Sequence, residues 1–191
     1  MYATRLIPRN IGLLARLVKE TSFATFAHLV KRNLATNMFS VNNLGELITP
    51  NAVYFEPTYK CNRRCAGCYV AEYNPAVLEE QTVNSVCQSA HRMGVNYVAW
   101  LGGEPLLPET ADLVLETTKR FPQMTFVVCT NADYIDTRVA DRIAKLPNLI
   151  PFISVDGFKE THDKRRGTGS YDNTREAMAL LKERKVMLAY Q

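Results

Sequence analysis

No run of apolar residues in this chain approaches the ~20 needed to cross a bilayer, so no transmembrane helix is expected. The opening residues, Met1-Tyr-Ala-Thr-Arg-Leu-Ile-Pro-Arg9, hold no continuous apolar stretch of signal-peptide type and no cleavage pattern, which argues against export. Low-complexity tracts and short-period repeats are also missing, which excludes a solenoid. Nor is there an even, well-spread set of cysteines. The chain has five, three of them crowded into the stretch 61–68, so a secreted disulfide framework is excluded. Metal or cluster binding in a reducing cytosol is expected instead, and no nucleic acid is expected as a partner.

What is present suits a folded protein. The 191 residues are 47% hydrophobic and 22% charged, enough to bury a core and unlike a disordered chain. The net charge of +4 is unevenly placed. Residues 1–50 carry Arg5, Arg9, Arg16, Lys19, Lys31 and Arg32 against Glu20 and Glu46, so the rest of the chain is neutral.

Residues 10–35 have helical periodicity, with Ile11, Leu14, Leu17 and Val18 on one face and Phe23, Phe26, Ala27 and Val30 on another. Two short amphipathic helices are expected, broken near Thr21-Ser22. Packing on the following domain is their expected role, since apolar stripes usually face a core. Contact of residues 1–35 with a membrane surface, at the inner face, or with a partner is the alternative. Residues 36–50 read as a linker, giving an N-terminal segment over 1–50 and a core over 51–191.

From residue 52 strands and helices alternate. Strands are expected at 52–56, 96–101, 125–129, 149–155 and 186–190. Helices are expected at 79–93 (ended by Gly94 as a C-terminal cap), 109–120, 136–146 and 173–185. That alternation implies parallel βα units with right-handed crossovers. Thr125-Phe-Val-Val-Cys129 and Ile150-Pro-Phe-Ile-Ser-Val155 are apolar almost throughout, as strands buried on both faces are. The chain stops at Gln191, directly after the fifth strand, so an incomplete sheet is expected.

The loop after the first strand reads Cys61-Asn-Arg-Arg-Cys65-Ala-Gly-Cys68. Soft thiolates suit iron–sulfur clusters and zinc. Three thiolates on one compact loop can grip three corners of a cubane and leave the fourth iron free for a small molecule. A closed zinc site needs a fourth protein ligand, for which Cys87 and His91 are the nearest candidates. A non-catalytic zinc-binding or membrane-associated module is therefore the alternative. Position favours a site in either case, because parallel βα sheets bind ligands at the C-terminal ends of their strands.

Further marks fall on that rim. After the second strand come Gly102, Gly103 and Glu104, two glycines that let backbone approach a ligand and a carboxylate beside them. After the third comes Thr130-Asn131-Ala132, and after the fourth Ser154-Val155-Asp156-Gly157. The run 162–171 reads as a basic loop in which Arg166 can pair with a carboxylate or phosphate, while Lys164 is solvated. Cys87, Cys129 and Trp100 read as buried packing residues, and Tyr59 as a residue beside the cysteine loop.

This constellation resembles the radical S-adenosylmethionine (radical SAM) superfamily over residues 51–191. Cys61, Cys65 and Cys68 match its Cys-x₃-Cys-x₂-Cys motif, and Gly102-Gly103-Glu104-Pro105 its second motif. Ser154–Gly157 with His162-Asp163 and Arg166-Gly167 is similar to members carrying a SPASM or Twitch auxiliary-cluster domain. The resemblance implies an α/β fold, a partial (βα)6 TIM-like barrel with about five strands present in this chain. It implies a [4Fe-4S] cluster on the three cysteines, S-adenosyl-L-methionine (SAM) chelating the open iron, and an electron donor of flavodoxin or ferredoxin type. One-electron cleavage of SAM then gives a 5′-deoxyadenosyl radical that abstracts hydrogen from a substrate, with peptide or protein modification as the expected class. Gly102, Gly103 and Glu104 would hold the methionine amino group, Ser154 and Asn131 the ribose or carboxylate, and Arg166 the carboxylate. Two departures stand out. The usual aromatic before the last cysteine is Gly67, and the sixth strand is absent.

Overall fold

The computed structural model describes residues 52–191, together with Pro50 and Ala27. The helices read in 10–35, the linker at 36–50 and the boundary at residue 51 lie outside the described residues.

Five strands form one parallel sheet: β1 (Val53–Phe55), β2 (Tyr97–Trp100), β3 (Thr125–Thr130), β4 (Leu149–Ile153) and β5 (Ala189–Tyr190). Each pairs with its successor in sequence. With right-handed crossovers, sequential order puts every connecting helix on the same face of the sheet. That is the wall of a TIM-like barrel, not a doubly wound sheet, whose strand order reverses. The helices are α1 (Glu80–Arg92), α2 (Ala111–Arg120), α3 (Thr137–Ala144), α4 (Lys159–Arg166) and α5 (Ser170–Glu183).

The core lies between the sheet and these helices. Strand alternation sends Phe55, Val98, Trp100, Phe126, Val128, Leu149 and Ile153 into it. Helix periodicity brings Val83, Cys87 and Ala90 from α1, and Thr174, Ala177 and Leu181 from α5, to the same layer. Trp100 stacks between Phe55 and Phe126, with ring centroids 5.1 and 6.2 Å away. Each fully buried apolar side chain of this size contributes about 1.5–3 kcal/mol. The other face of the strands is less covered than their apolar runs imply. Tyr54 is exposed, and Cys129, Ile150 and Phe152 are only half-buried. Among the described residues β1 and β5 do not pair, so the sheet curls toward this inner face without closing around it.

One local signal acts as read. After α1, the Gly94 N–H donates to the His91 carbonyl (3.0 Å) and the Val95 N–H to the Ala90 carbonyl (2.9 Å), with Gly94 at φ 83°. Those two bonds form a Schellman cap. At the start of α3, the Asp136 carboxylate accepts from the Val139 N–H at 2.7 Å. One element differs. The stretch read as a basic loop, 162–171, holds the later turns of α4, and α5 starts at Ser170, not near residue 173. Helix α4 buries one side chain, His162, so it carries no apolar stripe to read. Its Asp163 joins it to the next helix by accepting from the Tyr171 N–H (2.8 Å) and the Ser170 hydroxyl (3.1 Å).

Candidate functional site

The cysteine loop leaves the end of β1 and is tied at its base to the loop after β2. The Gly103 N–H donates to the Thr58 carbonyl and the Glu104 N–H to the Lys60 carbonyl, both at 2.8 Å. This contact is what the two glycines permit. A Cβ on Gly103 would stand 1.9 Å from the Lys60 carbonyl oxygen, and one on Gly102 would stand 2.6 Å from that of Thr58. Gly102 also adopts φ +97°, a region open to glycine. The sequence suggested backbone approaching a ligand. The structure shows backbone approaching the cysteine loop.

Glu104 is sealed inside, 1% exposed. Its carboxylate accepts from the Leu106 N–H (3.0 Å), the Thr130 hydroxyl (2.7 Å) and the Asn131 N–H (2.8 Å). It therefore straps the end of β2 to the end of β3. Burial pushes its carboxyl up to about 7, against the pull of those three donors. A carboxylate offers about four lone-pair positions, of which these donors take three.

Beyond Thr130 the chain turns sharply through Ala132, whose φ of 69° is costly for a residue with a Cβ. The turn brings Asn131 onto the cysteine loop. Its Nδ2 lies 2.9 Å from Asn62 Oδ1 and 3.8 Å from Cys61 Sγ. Asp133 follows, and its carboxylate accepts from Asn62 Nδ2 (2.6 Å), from Asn173 Nδ2 (3.1 Å) and from the Arg63 guanidinium. Ser154 is buried, its N–H donating to the Thr130 carbonyl at 3.0 Å. Arg166 is ion-paired with Asp156, which also holds Arg165. Its carbonyl accepts from Arg63 at 3.0 Å. The guanidinium read as a ligand-binding group is thus already paired. Arg63, Asn62 and Asp133 went unread because polar residues in loops carry no periodic signal.

Cys61, Cys65 and Cys68 are all half-buried and free. Burial pushes the Cys61 thiol up, partly offset by the Arg63 backbone N–H at 3.4 Å from its sulfur. Gly67 sits in the turn between the last two cysteines at φ +74°, where L residues rarely fit. The adjacent aromatics are tyrosines. Tyr59 and Tyr69 both donate to the Glu56 carboxylate, and Tyr59 stacks on Tyr73 with centroids 5.0 Å apart. A cavity of about 600 Å³ opens beside the loop, lined by Lys60, Cys61, Arg64, Cys68, Tyr73 and Tyr134 among others.

Among the described residues, no three His, Cys, Asp or Glu side chains converge to cage a single metal ion. The candidate fourth zinc ligands do not help, since Cys87 is sealed in the core and His91 is an exposed residue beside Asn96. A cubane makes a different demand, because it spaces its thiolates at separate corners. Three half-buried, unbridged cysteines on one loop are the donor type that demand calls for, and beside them on the same loop the Nε of Arg63 is buried without a partner among the described residues.

Comparison with known proteins gives the family and the fold. The family model described as the radical SAM superfamily matches residues 55–188. Mycofactocin maturase MftC of Mycolicibacterium smegmatis is 32% identical over 130 residues, covering 66% of this chain and 33% of that protein. Fe-coproporphyrin III synthase of Methanosarcina barkeri is 29% identical over 129 residues, covering 63% and 31%. The chain spans about a third of the length of these relatives. Among solved structures, Streptococcus suis SuiB bound to the precursor peptide SuiA shares the fold at a TM-score of 0.69, with 19% identity over 83% of this chain and 36% of SuiB.

Proposed function

Since the chain belongs to the radical SAM superfamily, we propose that residues 51–191 are the core of an enzyme holding a [4Fe-4S] cluster on Cys61, Cys65 and Cys68 and binding SAM on the same rim. The observation that carries this is the placement of the three cysteines. They sit at the C-terminal end of β1, and the Gly102–Glu104 turn clamps the base of their loop. Held by Cys61, Cys65 and Cys68, a cluster would supply the single electron needed to break a C–S bond of SAM into methionine and a 5′-deoxyadenosyl radical able to take hydrogen from a substrate.

The residues of the chain do the holding and the shielding. The spare acceptor position on Glu104, with the backbone of Gly102 and Gly103, suits the ammonium group of a methionine. Ser154 suits a ribose hydroxyl or a carboxylate, and Asn131 can reach one only by sharing an amide already bonded to Asn62, Cys61 and the Asp133 N–H. Arg166 can turn to the SAM carboxylate only by sharing itself with Asp156, so its role is the more indirect. Peptide or protein is the proposed substrate class. Its supports are the stretch Ser154–Gly157 and the fold shared with SuiB, which has been solved with a precursor peptide. The electron donor would be an external protein of flavodoxin or ferredoxin type. No helix among the described residues is long and apolar enough to cross a membrane. Surface contact through residues 1–35 stays a separate proposal.

Anaerobic reconstitution with iron and sulfide tests the reading. Wild-type protein should turn brown with about four iron and four sulfide per chain, and Cys61→Ala, Cys65→Ala and Cys68→Ala should each lose most of it. Equal uptake by all four proteins would overturn it.

A further inference from the structure

The cysteine loop, at Asn62, Arg63 and Ala66, is held from two sides by groups that touch neither the sheet core nor a thiolate ligand. On one side stands Asp133. Its side chain is 10% exposed and that of its partner Arg63 is 11% exposed. Asp133 gathers Asn62, Arg63 and, from α5, Asn173. On the other side are the last carbonyls of α4. The Arg165 carbonyl accepts from the Ala66 N–H and the Arg166 carbonyl from Arg63, both at 3.0 Å. A helix C-terminus carries partial negative charge, so a guanidinium is favoured there.

An ion pair this deeply placed is weak support for global stability, because desolvation offsets most of its attraction. Its best-attested use is to fix one arrangement against others. The arrangement fixed in this structure is the one that turns Cys61 towards Asn131 Nδ2 (3.8 Å) and the Arg63 backbone N–H (3.4 Å).

We propose that Asp133 is a positioning residue for the cluster: it clasps Asn62 and Arg63 onto the end of β3, so the cysteine loop keeps its ligand-presenting shape before any cluster is bound. The proposal rests on the cluster reading above. It has a consequence beyond loading. N–H groups directed at ligand sulfurs help set the potential of an iron–sulfur cluster, generally raising it. The clasp positions two such donors on Cys61, so its loss should shift the cluster potential to more negative values.

The test compares Asp133→Ala and Asp133→Asn with Asp141→Ala, which removes a surface ion pair to Arg184 remote from the loop. In cluster-free full-length protein, amide exchange over residues 61–68 should be about tenfold faster in Asp133→Ala, intermediate in Asp133→Asn and unchanged in Asp141→Ala. After anaerobic reconstitution, Asp133→Ala should hold less iron and sulfide, and the fraction that loads should have a more negative midpoint potential. If Asp133→Ala fails to fold, Asn62→Ala and Arg63→Ala release the same clasp from its other side, with the same expected results. Wild-type exchange over 61–68 in the folded clasp variants, or an unshifted potential in them, overturns the proposal. Wild-type protein that takes up no iron instead overturns the cluster reading, while the exchange measurement still judges the clasp.

Discussion

At Gly103 the fold leaves no room for a methyl group, because the nearest atom is carbonyl oxygen of the main chain and cannot rotate away. Gly103→Ala should therefore cost about 3 kcal/mol, at the upper end of overpacking penalties, and should loosen the cysteine loop with it. Urea unfolding of cluster-free protein measures the loss, and a cost under about 1 kcal/mol would show that the loops separate easily. Glu104 poses the opposite case. It looks free in the sequence, yet it spends three acceptor positions joining β2 to β3. The identities of both residues were legible beside the cysteines. That each serves the internal joint between two loops was not, because neighbours brought together by folding leave no spacing signal.

At the scale of elements, α4 decides the shape of the rim. Its only buried side chain is His162, whose Nδ1 accepts from the Asp156 N–H at 3.2 Å. Asp156 in turn holds Arg165 and Arg166 on the last turn of the helix. Burial alone would raise the Asp156 carboxyl, but the two guanidinium groups hold it below the usual carboxylate range. A carboxyl depressed in the folded state stabilises it fully above its unfolded value of about 3.9, and this contribution is lost as pH falls through the lower folded value. Asp156→Ala should thus cost about 2–3 kcal/mol at pH 7, since it leaves Arg166 half-buried without its partner. The gap from wild type should narrow as the pH drops below about 4. Urea unfolding at pH 7 and pH 3 checks both, and a gap independent of pH would show that the pair contributes nothing through charge.

Across the described residues as a whole the energy is divided between two faces of one sheet. The helix side is sealed by stacked Phe55, Trp100 and Phe126 and by the apolar faces of the helices. The inner side, with exposed Tyr54 and half-buried Cys129 and Phe152, is where a ligand gains most by covering surface. A cluster bound only by folded protein must stabilise it by mass action. Reconstituted wild-type protein should therefore unfold at a higher temperature than cluster-free protein in anaerobic calorimetry, by several degrees. The same treatment should not shift Cys65→Ala. Equal shifts in both would mean that iron acts elsewhere.

The sequence by itself determined the five strands, the helices between them other than α4, and the rim on which the cysteines lie. Those follow from periodicity, chain direction and a right-handed crossover, all local or chiral properties. Only the tertiary structure decided what the rim residues bind. It turned Gly103 and Glu104 onto neighbouring loops, paired Arg166 with Asp156, built α4 from a stretch with no apolar stripe and set Asp133 against Arg63. These pairings join residues up to 103 positions apart, as for Arg63 and Arg166. Hydrogen bonds and ion pairs over such separations depend on where folding delivers each loop, and no pattern along the chain encodes that.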